Sequence, residues 1–314
     1  MWLVTDPRRS VRCASRLIAL GALTLFLTSA GAAQSPISVV TTTTDLRSLA
    51  EAVGGERITA ISLAPAALDA EEYQPKPQDA LRLKSAGLFV RVGLDYDLWA
   101  DRLLTQVGRP EINRGGPFYV DASRTIAVLE LRGVSVGPGD GHAHGSGNPH
   151  YWLDPENADI ITAAIVEALA RLDPAHAAAY EARRSAFLAR LQARLAGWQQ
   201  ALAALKGVPI VAYHNSWPYF ARRFHLDVFD VIEAKPGVPP SPAHLAAVIK
   251  AMRDRGARIV LREPHEPERD AAFVAAKAGA AVVTLAASVG ALPQADDYLA
   301  LFDTDVAALT AAAR

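Results

Sequence analysis

Thiol chemistry is almost absent from this sequence, because its 314 residues include a single cysteine, Cys13. Cys13 precedes an apolar run near the N-terminus, and we expect it to be removed together with that run. A chain without thiols forms no disulfides, offers no thiolate to a metal and has no cysteine nucleophile. Any site for a transition metal must therefore be built from histidine imidazoles and from carboxylates.

An excess of charge of one sign is also absent, since the sequence has 32 Lys and Arg residues and 33 Asp and Glu residues. No basic patch with interleaved aromatic residues occurs, so nothing indicates a nucleic-acid partner. The sequence also lacks an HExxH, a CxxC, a GxGxxG that opens a helix, and a GxSxG elbow between a strand and a helix. These absences exclude the common local motifs for metals, nucleotides and serine hydrolysis. A metal site would have to be assembled from distant segments.

The N-terminus has the features of a signal peptide. Several arginines precede an apolar run from Leu17 to Leu27, and small residues follow at Ala30 to Ala32. A charged region, an apolar region and an A-x-A cleavage site in this order are typical of export. The apolar run is too short to span the ~30 Å hydrocarbon core of a bilayer. We therefore expect residues 1–33 to be removed and the mature protein to be periplasmic.

The remaining chain alternates between strand and helix patterns, which predicts an α/β fold. Strand patterns such as Ile37 to Thr42 and Val208 to Tyr213 are rich in β-branched and apolar residues. One long helical pattern separates the two alternating regions and is interrupted only at Asp173-Pro174, where proline must end or kink a helix. The prediction is two lobes with mostly parallel sheets joined by one long helix. The predicted bounds are 34–154 for the N-terminal lobe with a histidine-containing loop at 137–147, 155–205 for the linking helix, and 206–314 for the C-terminal lobe.

Side chains that can bind a metal follow several predicted strands or lie beside the loop between the lobes. They are Glu71 with its neighbour Glu72, His150, His214, and Glu263 with the nearby His265. Ligands of open α/β sheets bind beyond the carboxyl ends of the strands. A single histidine or acid at such a place is often only a hydrogen-bonded structural residue, so each one alone leaves that alternative open. Their common placement predicts a shared site.

Four phrases of the sequence carry a resemblance to a known family. They are EYQPKP at 72–77, NPHYWLDPENA at 148–158, YHNSWPYFARRF at 213–224 and REP at 262–264, of which the second and third are long and specific. The chain resembles the periplasmic metal-binding receptors of zinc and manganese ABC importers, the cluster A-I solute-binding proteins, from about Ile37 to Leu309. The resemblance implies a metal held in a cleft between the lobes and delivered to the permease of an ABC importer, without an enzymatic step.

The resemblance also implies a ligand set. His150 and His214 fall on ligand positions of the family. Members have a histidine where this chain has Glu71, and they have an aspartate in the last strand-to-helix loop, where residues 285–290 of this chain contain no acid. Glu263 is the nearest substitute, with His265 as the second choice. The expected ligands are therefore Glu71, His150, His214 and Glu263.

Two imidazoles and two carboxylates suit tetrahedral Zn²⁺, with bonds of ~2.0–2.2 Å. Bidentate carboxylates would suit Mn²⁺ instead, since it prefers oxygen ligands. The glycine-rich loop carries His142 and His144, which favours zinc because such imidazoles can hold the ion transiently. Asp154 and Asn215 are candidates for orienting the ligand histidines. Binding should weaken as the pH falls toward the ordinary histidine pKa of ~6.5, because the ligands must be deprotonated.

Two other functions stay open on the sequence alone. A secreted zinc hydrolase would use Glu71 or Glu263 as general base to a metal-bound water. A periplasmic zinc buffer or adhesin would hold the metal without a permease. Four protein ligands would close the site and favour transport, whereas three would leave a position for water. We expect the protein to be a monomer.

Overall fold

The computed structural model describes residues 35–130, 146–235 and 237–313. The predicted signal peptide and the loop histidines His142 and His144 lie outside these residues. From Pro36 onward the chain forms one compact unit. Among the described residues, no helix is both long enough and apolar enough to cross a membrane.

The first half contains a sheet of four parallel strands in the order β2-β1-β3-β4. Helices connect these strands, as expected for parallel neighbours. Thr43 begins the first helix by accepting a hydrogen bond from the backbone N–H of Leu46, and Gly55 ends it with a positive φ of 55°. The elements are β1 (Ile37–Thr41), α1 (Thr44–Gly54), β2 (Ile58–Ser62), α2 (Pro77–Lys84), β3 (Leu88–Arg91), α3 (Trp99–Val107) and β4 (Tyr119–Asp121).

The second half repeats the same strand order in a second parallel sheet, β6-β5-β7-β8. This confirms the predicted α/β fold with two parallel sheets. The elements are β5 (Pro209–Ala212), α6 (Pro218–Phe224), β6 (Asp227–Val231), α7 (Pro242–Arg255), β7 (Ile259–Arg262), α8 (Glu268–Ala278), β8 (Ala281–Thr284) and α9 (Tyr298–Ala312).

The linking segment contains two helices, α4 (Asn157–Leu172) and the 25-residue α5 (Ala177–Ala201). They are separated at Asp173 and Pro174, the position where the sequence predicted an interruption. The segment 155–205 is therefore not one continuous helix, because proline cannot continue the hydrogen bonding of α4. At ~1.5 Å per residue α5 is long enough to pack on both halves. It contacts α1 of the first half and α9 of the second.

Buried hydrogen bonds also join the two halves. The backbone N–H of Val289 donates to Asp45 Oδ1 at 2.9 Å, and that of Tyr298 donates to Ser48 Oγ at 3.0 Å. The Trp152 indole N–H donates to the carbonyl of Ala287 at 2.8 Å. All of these groups are buried, so the hydrogen bonds are shielded from water and hold the segment after β8 against α1.

Candidate metal centre

Two candidate ligands of the second half lie at the carboxyl edge of its sheet. His214 comes two residues after β5, and Glu263 directly follows β7. The strands β5 and β7 are neighbours, and the strand order reverses between them. This is the position at which open parallel sheets bind ligands. The backbone topology thus places both side chains on one side of the cleft.

Two candidate ligands of the first half come from its loops. Glu71 lies between β2 and α2, where its backbone N–H donates to Asp69 Oδ1 at 2.8 Å. His150 precedes a short 3-10 helix, Tyr151–Leu153, and its backbone N–H donates to Asn148 Oδ1 at 3.0 Å. The following Trp152 is fully buried, which fixes the backbone at His150.

The structure brings three of these side chains together. Among the described residues, ligand atoms of Glu71, His150 and His214 all lie within 4.8 Å of one another. His150 Nε2 lies 3.4 Å from Glu71 Oε1, and the rings of His150 and His214 are 5.5 Å apart between centroids. Three side chains from segments far apart in sequence therefore converge on a volume the size of one ion.

Both histidines are oriented through Nδ1, which leaves Nε2 as the coordinating nitrogen. His214 Nδ1 lies 2.6 Å from Glu233 Oε2, and His150 Nδ1 lies 3.2 Å from Asn148 Oδ1. A carboxylate or amide oxygen in this position fixes the ring and its tautomer when a metal binds the other nitrogen. Two ligand nitrogens are thus held toward Glu71.

The orienting residues predicted from the sequence were wrong. Asp154 instead accepts hydrogen bonds from Arg223, and the side chain of Asn215 donates to Glu130. Asp154 and the side chain of Asn215 thus have other hydrogen-bonding partners, Arg223 and Glu130. Glu233, in contrast, lies two residues beyond β6, so the strand-end argument applied to every strand would have found it.

Glu263 lines the same pocket but does not belong to the close group of three. Its carboxylate is buried, and its Oε1 accepts a hydrogen bond from the Ser216 hydroxyl. Its Oε2 lies 3.7 Å from His265 Nδ1. The loop after β8 supplies Ala287 and Ser288 to the pocket and no carboxylate, in agreement with the sequence.

Asp69 is a pocket residue whose role the sequence analysis missed. It holds the backbone of Glu71, and its own side chain lines the pocket. Burial, and then the negative charge of Glu71, raise the pKa of Asp69 to about 6. No local pattern distinguishes Asp69 from an ordinary loop acid, because only the folded chain buries it beside Glu71.

The carboxylates around His214 stabilise its charged form. Burial alone lowers the pKa of His214, but the hydrogen bond to Glu233 and the charges of Glu71 and Glu263 outweigh this and raise it to about 10. Burial raises the pKa of Glu263. The site is therefore electrostatically prepared for a cation, and a proton on His214 provides positive charge when no metal is bound.

Comparisons with known proteins show which family the chain resembles. The family model described as "ZnuA: Zinc-uptake complex component A periplasmic" matches residues 39–312. The iron-binding protein YfeA of Yersinia pestis is 25% identical over 247 residues, covering 77% of this chain and 74% of its own. The high-affinity zinc uptake system protein ZnuA of Brucella abortus is 26% identical over 231 residues, covering 62% of this chain and 67% of its own.

Solved structures show the same fold. A crystal structure of ZnuA superposes with a TM-score of 0.75 at 26% identity, covering 89% of this chain and all of that one. The Mn-bound periplasmic metal-binding protein of candidatus liberibacter asiaticus has a TM-score of 0.73 at 19% identity, which supports the fold alone. Because the family model extends over nearly all of the described residues, the chain belongs to the family of periplasmic zinc-uptake complex component A.

Proposed function

We propose that this protein binds one divalent transition metal, with zinc favoured over manganese, and presents it to the permease of an ABC importer. The observation that carries the proposal is the convergence of Glu71, His150 and His214 within 4.8 Å. Two of these residues belong to the first half, the predicted lobe 34–154, and one to the second, the predicted lobe 206–314. A bound ion would join both lobes, so that occupancy of the site is coupled to their arrangement.

Glu263 is the fourth ligand in this proposal. It is a buried carboxylate in the same pocket, beside a hydroxyl that can steady one of its oxygens. Asp69 is the other acid that lines the pocket, and one of its oxygens accepts the backbone N–H of Glu71. Four protein ligands complete the tetrahedral coordination of zinc and leave no position for a reactive water. A closed site of this kind favours carriage of the ion over hydrolysis.

Zinc is favoured by the donor types. Two imidazole nitrogens with two carboxylates give a mixed set that zinc accepts at four-coordination, whereas manganese prefers a higher proportion of oxygen ligands. The related proteins have names that refer to iron and to zinc, and one related structure holds manganese. The preference for zinc in this proposal therefore rests on the ligand types of this chain and not on the names of its relatives.

Titration of the metal-free protein with zinc tests the proposal. We expect one equivalent to bind tightly, and protein isolated from the periplasm without chelators should carry zinc. Glu263→Gln should weaken zinc binding by about tenfold, since a neutral amide is a poorer ligand than a carboxylate. Glu268→Gln, on the exposed first turn of α8, is the matched control.

Each result has a separate meaning. Absence of stoichiometric binding would contradict the receptor function. Manganese in the isolated protein would contradict the preference for zinc. An unchanged affinity in Glu263→Gln would remove Glu263 from the ligand set and leave a site of three protein ligands.

Glu233→Gln provides a test of ring orientation. The amide keeps the size of the side chain but removes the negative charge that faces His214 Nδ1. Loss of such an orienting carboxylate costs ~10- to 100-fold in metal affinity, and we expect a value near the lower limit because the amide oxygen can still accept a hydrogen bond. Isothermal titration of zinc over a series of pH values gives the pH-independent affinity, which separates this effect from the lowered pKa of His214 in the variant. Equal pH-independent affinities of Glu233→Gln and the wild type would show that Glu233 does not control the ligand.

A further inference from the structure

A third histidine lines the pocket without belonging to the close group. His265 lies in the turn between β7 and α8, and its imidazole is a wall of the same pocket as His150 and His214. The three side chains differ in exposure: His150 is 6% exposed, His214 15% and His265 27%. His265 is thus the pocket imidazole that is most open to solvent.

Glu263 connects His265 to the inner group. One of its oxygens, Oε2, lies 3.7 Å from His265 Nδ1, while Ser216, two residues after His214, donates to the other. A carboxylate has two oxygens that can each bind a metal, so Glu263 can bind an ion beside His265 or an ion beside His214. The side chain is buried and therefore confined to this position.

We propose that His265 and Glu263 form an outer metal position, through which a divalent ion passes between solvent and the inner ligands Glu71, His150 and His214. The inference rests on the proposed function of the pocket. One imidazole and one carboxylate bind zinc more weakly than the complete site, and water completes the coordination at the outer position. The ion then exchanges these waters for the inner imidazoles while it stays bound to Glu263, since zinc can expand to five ligands during exchange.

A residue that binds the ion on its way to the inner site changes both the rate of association and the rate of dissociation. His265 stabilises the ion between solvent and the inner site, so its removal raises the barrier to entry and to exit by the same amount. The equilibrium affinity does not change, because His265 does not bind the ion in its final position. This separates an outer position from a fourth or fifth ligand of the resting site.

Stopped-flow measurement of zinc entry tests the inference. Trp152 lines the pocket, and its ring lies 5.3 Å from that of His150 between centroids, so its fluorescence can report binding. In His265→Ala we expect the association and dissociation rates both to fall by on the order of tenfold, with the dissociation constant unchanged within about twofold. His265→Asp should recover most of both rates, because the carboxylate restores a ligand.

His244→Ala is the control, since this imidazole on α7 bonds to the carbonyl of Val231 and does not line the pocket. Unchanged rates in His265→Ala would overturn the inference. A tenfold weaker equilibrium affinity would overturn it as well, because His265 would then be a ligand of the resting site. Failure of the wild type to bind zinc would instead refute the proposed function. The stopped-flow traces of the wild type show this outcome separately from the effect of His265→Ala.

Discussion

Replacing His150 with alanine should weaken zinc binding by ~100- to 1,000-fold. The free energy of binding at a four-ligand zinc site is ~10–16 kcal/mol, or ~2.5–4 kcal/mol for each ligand when divided equally. Each ~1.4 kcal/mol changes the dissociation constant tenfold. His150 is buried and its Nε2 faces Glu71, so solvent does not readily supply a ligand in its place.

A volume-conserving variant keeps this result interpretable. The imidazole packs against Tyr96 and Trp152, with centroids 5.5 and 5.3 Å away, so alanine leaves a cavity as well as removing a ligand. His150→Gln fills more of that space and should show a similar loss of affinity. Circular dichroism establishes that both variants fold, and competition with a chelator gives the affinities. Affinity within threefold of the wild type in both would show that the inner group is not the metal site.

The affinity for zinc should rise about 100-fold between pH 7 and pH 9. The pKa of His214 in the metal-free protein is about 10, because Glu233, Glu71 and Glu263 stabilise its charged form. Zinc needs the neutral imidazole, so binding must displace this proton. While the metal-free protein stays protonated, each unit of rising pH favours the complex by a factor of about ten. This range from pH 7 to pH 9 lies above the pKa of Asp69, about 6, and below the pKa of His214.

Proton release gives an independent measurement of the same effect. Titration in buffers with different ionisation enthalpies should show about one proton released for each zinc ion bound at pH 8. Glu233→Gln removes the hydrogen-bonding carboxylate and should lower the pKa of His214, so that the pH dependence ends at a lower pH. An affinity that is constant from pH 7 to pH 9 would show that His214 is already neutral in the metal-free protein.

This pH range differs from the one that the sequence predicted. A histidine with an ordinary pKa near ~6.5 would lose its proton before pH 7 and give little dependence above it. The difference arises from the carboxylates around His214, of which Glu233 contributes a direct hydrogen bond. Glu233 was not among the expected site residues, although it lies two residues beyond β6.

Much of the fold was predictable because its signals are local. Alternating strand and helix patterns determined two parallel sheets, and Pro174 determined the break between α4 and α5. The placement of His214 and Glu263 directly beyond strands was predictable for the same reason, since the ends of parallel strands share one edge of the sheet. The lobe boundaries and the complete ligand set stay predictions.

What the sequence by itself determined is the inventory of the site: imidazoles and carboxylates without thiols, carried on segments that a parallel sheet brings to its carboxyl edge. Only the tertiary structure decided which of these groups meet. It placed Glu71 beside His150 and His214, turned Asp154 toward Arg223, and set Glu263 beside His265 in the same pocket. The physical reason is that side-chain direction and burial depend on contacts between residues far apart in the chain, and these contacts also determine the pKa of His214.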